Sequence, residues 1–465
     1  MTISQEQFDR GIGQLEGFSK RHPRSYRIRV ALLAMLGYAY IFLVIVGLLA
    51  LVWLLVWMMF ASGRVSRNAI MLSGMLLAPA WIMLRSLWVK FPHPQGLKLS
   101  RNQAPELFKI VEELTTRLQA PSFHTILLTP DFNAAVTQVP RLGIFGWHQN
   151  YLILGLPLMQ ALSLDEFKAV LSHELGHLSG NHARFAGWIY RVRKTWLQMY
   201  TRLHQGNHRN GSMLLNIFLN WYWPAFNAYS FVLARMDEYE ADRCAAQLTG
   251  PQHMANALIK SEVLGRYLEE RFWVDIQKQI EELPDPPKNL YASMFAGLRQ
   301  PMAEQDSREW LTAALTTPTN TDDTHPCLTD RLAALGYAAA EAHQLPQPPK
   351  ARATAAEQLF GRTLHNLAAQ FSQEWQANVA TPWRQRYAFL SEAKSKLNTL
   401  TEKADQAALT PEELWERGLC LLKLKNDQEA MPILQELLQQ QPEHVQANFI
   451  VGQFLLEQAD AAGIA

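Results

Sequence analysis

Leu171-Ser172-His173-Glu174-Leu175-Gly176-His177-Leu178 sets two histidines four residues apart, with a glutamate directly after the first. On a helix, residues four apart lie one above the other on one face, so both imidazoles are able to reach one metal ion. Glu174 then stands where it can take a proton from water at that ion. The flanking residues predict the helix this chemistry needs. Ser163 followed by Glu166 is a capping box. Phe167, Val170, Leu171, Leu175 and Leu178 continue at helical spacing, and Gly180 reads as the terminator.

A catalytic zinc takes three protein ligands and keeps one position open. A third histidine six residues past His177 is absent, because that position is Ala183. His182 is one residue early and points about 100° away on a continuing helix, which makes it a neighbouring histidine and not a ligand. Arg235-Met236-Asp237-Glu238-Tyr239-Glu240-Ala241-Asp242 supplies a better candidate. Taken alone, such an acidic run is as compatible with a solvated helix face. Beside the histidine motif it reads as a ligand, Glu238, with Asp242 one turn later to accept the free ring N–H of a ligand histidine. Ala241 and Ala245 offer small surfaces for close helix packing.

His173-Glu174-Leu175-Gly176-His177 followed by Glu238-Tyr239-Glu240-Ala241-Asp242 resembles the HtpX and CaaX-prenyl-protease family of membrane zinc metallopeptidases, which are gluzincins. The likeness runs over about residues 95–340 and includes Asn133-Ala134, Thr324-His325-Pro326 and Arg331. Ala234 and Leu332 depart from residues common in the family, and neither is a ligand position. The resemblance implies a zinc endopeptidase with one Zn2+ per chain, a substrate lying along an edge strand, and a role in membrane protein quality control. It also implies that His325 acts on the reaction's oxyanion and that Arg331 orients it.

The rest of the chain sets this domain in context. Residues 30–63 carry no charged side chain, enough to cross a bilayer, and residues 68–89 carry only Arg85. Arg10, Lys20, Arg21, Arg24, Arg27 and Arg29 precede the first run, and Lys90, Lys98, Arg101 and Lys109 follow the second. A hairpin with both ends in the cytoplasm fits this distribution, placing the peptidase domain on the cytoplasmic side of a cell inner membrane. A third uncharged run, residues 210–234, is expected not to span. His177 precedes it and Glu238 follows it, and both must touch one ion. It should form buried helix, with Trp221, Tyr222 and Trp223 at the membrane interface.

Thr125–Leu128 and Tyr151–Leu154 read as strands, with Gly143-Ile144-Phe145-Gly146 a further strand or turn. A helix is expected over about 225–248, stopped by Gly250-Pro251, and helical composition resumes from about Asp330. In the tail, Gly418 recurs as Gly452 and Leu421 as Leu455, each 34 positions on, with Ala430, Leu434 and Pro442 at tetratricopeptide-like offsets. The expected fold is α+β: a mainly helical, zincin-like (gluzincin) metallopeptidase domain with a small sheet, after a transmembrane hairpin and before a helical TPR-like tail. The boundaries are 1–29 for a cytoplasmic segment, 30–89 for the hairpin, 90–343 for the peptidase domain, 344–351 for a Pro-rich linker, 352–406 for a helical region and 407–465 for the tail.

Composition excludes several classes. Lys plus Arg number 43 against 42 Asp plus Glu, which leaves no broad basic surface for nucleic acid. Cys244, Cys327 and Cys420 are too few and too scattered for a disulfide framework. The expected partners are polypeptide substrates, the bilayer and a protein bound by the tail. Two alternatives stand beside the endopeptidase: a membrane-tethered adaptor with a structural zinc, and a protease that processes prenylated or otherwise modified proteins.

Overall fold

The computed structural model describes residues 5–86, 93–140, 148–205, 213–300, 302–321, 323–337 and 353–457. Gly143–Gly146 and the Pro-rich linker 344–351 lie outside them. The protein is mostly helical with one small sheet. The elements in chain order are α1 (Gln5–Arg21), α2 (Pro23–Ser62), α3 (Arg67–Ser86), β1 (Leu97–Lys98), α4 (Pro105–Arg117), β2 (Thr125–Thr129), β3 (Ala134–Pro140) and β4 (His148–Gly155). There follow α5 (Leu156–Ala161), α6 (Leu164–Gly176), α7 (Gly180–Gln205), α8 (Met213–Thr249), α9 (Pro251–Arg266), a π-helical turn (Tyr267–Phe272) and α10 (Trp273–Lys278). The remainder is α11 (Leu290–Arg299), α12 (Glu304–Thr316), α13 (Leu328–Ala334), α14 (Ala355–Phe360), α15 (Thr363–Ala404), α16 (Pro411–Lys423), α17 (Asp427–Gln440) and α18 (Val445–Glu457).

Two compact units result, Met1–Arg266 with Phe295–Leu364, and Tyr267–Met294 with His365–Ala465. Residues 267–294, which the sequence reading put in the peptidase domain, thus cluster with the tail. Residues 353–364 belong to the first unit, because α14 docks on α5: Thr354 Oγ1 donates to Gln160 Oε1 and Ala355 N–H to Leu162 O.

In the first unit the sheet has the order β1-β2-β4-β3, with β2 and β4 parallel and the other pairs antiparallel. The edge strand β3 pairs with β4 from Ala134↔Leu154 to Pro140↔His148. Its start is fixed where the 131–133 loop lies close against Gly155 at the end of β4. Gly155 N–H donates to Asn133 O at 2.7 Å, and a Cβ at Gly155 would lie 1.9 Å from the Asp131 carbonyl oxygen. Asn133 Oδ1 also accepts from the Ala134 N–H.

Among the described residues, α2 is the one helix long and apolar enough to cross a membrane. It has two parts. Tyr26, Val30, Ala34, Gly37 and Ile41 are buried, a helical stripe packed into the unit. Residues 42–62 bury no side chain fully, and large apolar groups such as Phe42, Trp53 and Phe60 are exposed. At about 1.5 Å per residue this stretch is about 31 Å long, close to a bilayer's hydrocarbon thickness. Helix α3 packs against α2 and exposes Met71, Met75 and Trp81.

The uncharged run 210–234 enters α8, which is continuous with the segment that carries Glu238. Phe218, Leu219, Tyr222 and Phe226 share one core with Ile12 of α1, Val30 of α2 and Trp196 of α7. Tyr222 is not an interfacial side chain: it is fully buried, and its hydroxyl donates to Leu33 O at 3.0 Å. Trp221, one residue earlier, is exposed.

In the second unit Leu414, Leu421, Ala430, Met431, Leu434 and Leu437 form the core of the α16–α18 array. Gly418 lets α16 and α17 approach, since a Cβ there would lie 2.6 Å from Leu434. Trp383 Nε1–H donates to Leu283 O, fastening α15 to the segment after α10.

Candidate metal centre

Helix α6 starts on the capping box: Ser163 Oγ accepts from Glu166 N–H, and Glu166 Oε2 accepts from Ser163 N–H. Glu166 is buried and also pairs with Lys260 at 2.7 Å. The helix ends at Gly176, with His177 still in right-handed helical backbone. Gly180 is therefore not the terminator; it opens α7 after a short turn. His182 lies on α7, and its side chain is outside the described residues.

Helix α8 crosses α6 closely at Gly176. A Cβ at that position would lie 3.1 Å from Ala241 Cα. A larger residue must push the two helices apart, and overpacking of this kind costs about 1–3 kcal/mol. Gly176→Val is expected to lower the thermal midpoint and to weaken metal uptake together, measured by thermal unfolding and by zinc titration.

This crossing brings His173, His177 and Glu238 together. His173 Nε2 lies 3.2 Å from His177 Nε2 and 3.5 Å from Glu238 Oε2, and His177 Nε2 lies 3.4 Å from Glu238 Oε1. A tetrahedral ion bound at about 2.0–2.1 Å separates its ligand atoms by about 3.3–3.4 Å. Glu238 Oε2 is buried with no hydrogen-bond partner among the protein atoms. Two imidazoles and a carboxylate, at this spacing and with that unsatisfied oxygen, fit a zinc-type ion.

The surrounding groups orient these three. His173 Nδ1 lies 2.9 Å from Asp242 Oδ1. Arg331 grips Asp242 through two parallel bonds, Nε to Oδ2 at 2.8 Å and Nη2 to Oδ1 at 2.6 Å. The expectation that Arg331 orients His325 is corrected here: its hydrogen bonds go to Asp242. Removing one partner of a buried pair leaves the other charge uncompensated, which costs about 3–5 kcal/mol. Arg331→Met is expected to destabilise the fold by that order, read from denaturant unfolding.

His325 stands at the rim. Its Nε2 lies 3.7 Å from Glu238 Oε1, and Asp323 Oδ1 faces both its Nδ1 (2.9 Å) and its backbone N–H (3.1 Å).

Burial dominates the proton affinities. It pushes the Glu174 carboxyl up to about 7; Glu238 adds to this, while His173 and a backbone hydrogen bond from Val136 oppose it. Burial also lowers His177 to about 4, with the His173 charge assisting, so that ring is neutral. Burial alone would lower His173, but the carboxylates of Asp242 at 2.9 Å and Glu238 at 3.5 Å outweigh it and hold the ring up at about 9. Glu238 is down at about 2, because His173 and His177 overcome the cost of burying it.

Two parts of the site escaped the sequence reading. One is β3, whose Val136 reaches Glu174. The other is the pairing of Arg235 with the Asp323 carbonyl in the His325 loop, residues 88 apart that no local pattern links.

Two histidines, a carboxylate and an adjacent glutamate are what a metal-dependent peptidase needs, and the family match supports that class. Residues 101–339 match Peptidase family M48, and the chain belongs to that family. It is 30% identical over 207 residues to the Protease HtpX homolog of Pseudarthrobacter chlorophenolicus, covering 40% of this chain and 68% of the relative. It is 26% identical over 270 residues to Protease HtpX of Acinetobacter baumannii, covering 52% and 77%. With Protease HtpX homolog 2 of Methanosarcina mazei it shares 27% over 173 residues, covering 35% and 56%. No solved structure matches.

Proposed function

We propose that this protein is a membrane-anchored zinc endopeptidase with a gluzincin-type site, acting on extended or misfolded polypeptides. One observation carries the reading: His173, His177 and Glu238 converge at the spacing of ligands to a single ion, with half-buried Glu174 beside them. His173, His177 and Glu238 would hold the ion, and a bound zinc would supply a Lewis acid there. Glu174 takes the proton of the attacking water and passes it to the leaving amine; a carboxyl poised near neutrality suits both transfers. Asp242, gripped by Arg331, holds the His173 ring in its binding orientation. His325 faces the carbonyl oxygen. With Nδ1–H given to Asp323, it offers Nε2–H only as the doubly protonated ring.

The substrate reading rests on β3. Among the described residues no strand pairs with its outer edge, and Val136 lies against Glu174. An extended peptide added to that edge aligns its backbone with the site while reading little side-chain sequence. The adaptor alternative fits less well. A structural zinc is usually closed by four protein ligands, and Glu174 would then have no role. The hairpin of α2 and α3 would anchor the chain in a cell membrane with the site on the cytoplasmic side, and α16–α18 would form a TPR-like surface for a protein partner.

The test is a digest by the full-length protein in detergent. Unfolded casein should be cut while a tightly folded control is spared. Equal cutting of both would overturn the extended-strand reading.

A further inference from the structure

Helix α1 lies before the membrane helix and far in sequence from the site, yet its side chains reach the loop that carries His325. Arg235 is the centre of this connection. It is buried, stacks on the Phe231 ring at 4.5 Å, and stands one turn before Glu238 on α8. Its Nη1 donates to Glu16 Oε1 of α1. Its Nη2 donates to two carbonyl oxygens of the loop, those of Asn320 and of Asp323, the latter at 3.2 Å. Asp323 in turn holds His325 through both the ring Nδ1 and the backbone N–H. A second strut runs beside the first: Thr321 Oγ1 donates to Asp9 Oδ1 of α1 at 2.6 Å.

We propose that Glu16 and Arg235 are positioning residues for His325, so that the docking of α1 sets the geometry of the active-site loop. This rests on the endopeptidase reading. The physical reason lies in the linkage. Backbone carbonyls need donors, and those of Asn320 and Asp323 share one guanidinium. That guanidinium is buried, so its charge requires a partner, and Glu16 is the carboxylate paired with it. Without Glu16, Arg235 is left as an uncompensated buried cation and moves toward water, releasing both carbonyls. Asp323 and His325 then lose their fixed distance from Glu238. The histidine ligands sit at the end of α6, which is held against α8 by the close crossing of Gly176 and Ala241, so they stay in place.

The experiment is a double-mutant cycle on the full-length protein with unfolded casein, using Glu16→Ala, Arg235→Lys, His325→Ala and the combination of Glu16→Ala with His325→Ala. Glu16→Ala should lower kcat about 3–10-fold with KM and zinc content unchanged, while Glu16→Gln should recover part of the loss. In the His325→Ala background the same change should have less than about a 2-fold effect, because residues acting through one group are not additive. Hydrogen exchange gives a readout that needs no activity. Glu16→Ala and Arg235→Lys should speed exchange in residues 318–326 about 5-fold or more and leave α6 protected. Equal losses in both backgrounds, loss of zinc, or unchanged exchange of the loop would overturn the proposal. A wild-type protein that leaves casein intact while its loop responds would overturn the endopeptidase reading and confine the clamp to a structural role.

Discussion

Glu174→Gln is expected to lose at least about 100-fold in cleavage of unfolded casein while keeping its metal. General acid–base catalysis contributes about 10²–10⁴-fold, and the amide has the shape of the carboxyl but cannot accept the proton. Glu174 is not among the three side chains that converge, so the donor set survives the change. The amide also replaces a half-buried carboxyl whose proton affinity desolvation has pushed up to about 7, so the fold should lose little. Steady-state kinetics with metal analysis of the same preparation decides this. A variant that cuts casein at the wild-type rate would remove Glu174 from the mechanism.

Glu238→Gln should act in the opposite order, losing the metal first and activity with it. The carboxylate has one oxygen near each histidine, and one of those oxygens has no other partner. A neutral amide there offers one weak oxygen donor and no charge to offset a divalent ion. Zinc content should fall well below one per chain after dialysis, and turnover should fall to background. Metal uptake by the wild type should also weaken as pH falls. Asp242 and Glu238 raise the proton affinity of His173, so binding an ion must displace a proton, and protons compete more strongly at lower pH. Full zinc occupancy and activity in Glu238→Gln would require another ligand.

How far the site can be read from sequence follows from how local each part is. His173, Glu174 and His177 lie within one helical turn, and the capping box before them is equally local. Glu238 and Asp242 were legible as a second such pattern, but only because the first gave them a purpose. The pairing of Asp242 with Arg331 joins residues 89 apart, and nothing in either stretch names the other. Arg331 was accordingly assigned to the nearer His325. The strand β3 was missed for a different reason. Ala134-Ala135-Val136-Thr137-Gln138-Val139-Pro140 has two alanines, a glutamine and a proline, and no clean alternation of apolar and polar residues. It forms because β4 offers a pairing edge and the Gly155 N–H to Asn133 carbonyl bond aims it there. Gly180 was read as a stop, since glycine after a periodic run is the usual helix end. The chain instead turns over residues 177–179 and starts a new helix at that glycine. Tyr222 illustrates the limit of interface rules: its neighbour Trp221 is exposed, but Tyr222 itself lies among α2 and α7, which composition could not foresee.

The most direct measurement is a chelation and reloading cycle on the purified full-length protein. Casein cleavage is followed before chelation, after removal of the chelated metal by dialysis, and after return of one equivalent of zinc, with Glu174→Gln carried in parallel. The predicted result is that wild-type cleavage stops when the metal is removed and returns with zinc, while Glu174→Gln is inactive throughout although it rebinds zinc. Cleavage that persists in the metal-free protein, or that proceeds equally in Glu174→Gln, would contradict a zinc endopeptidase built on His173, Glu174, His177 and Glu238.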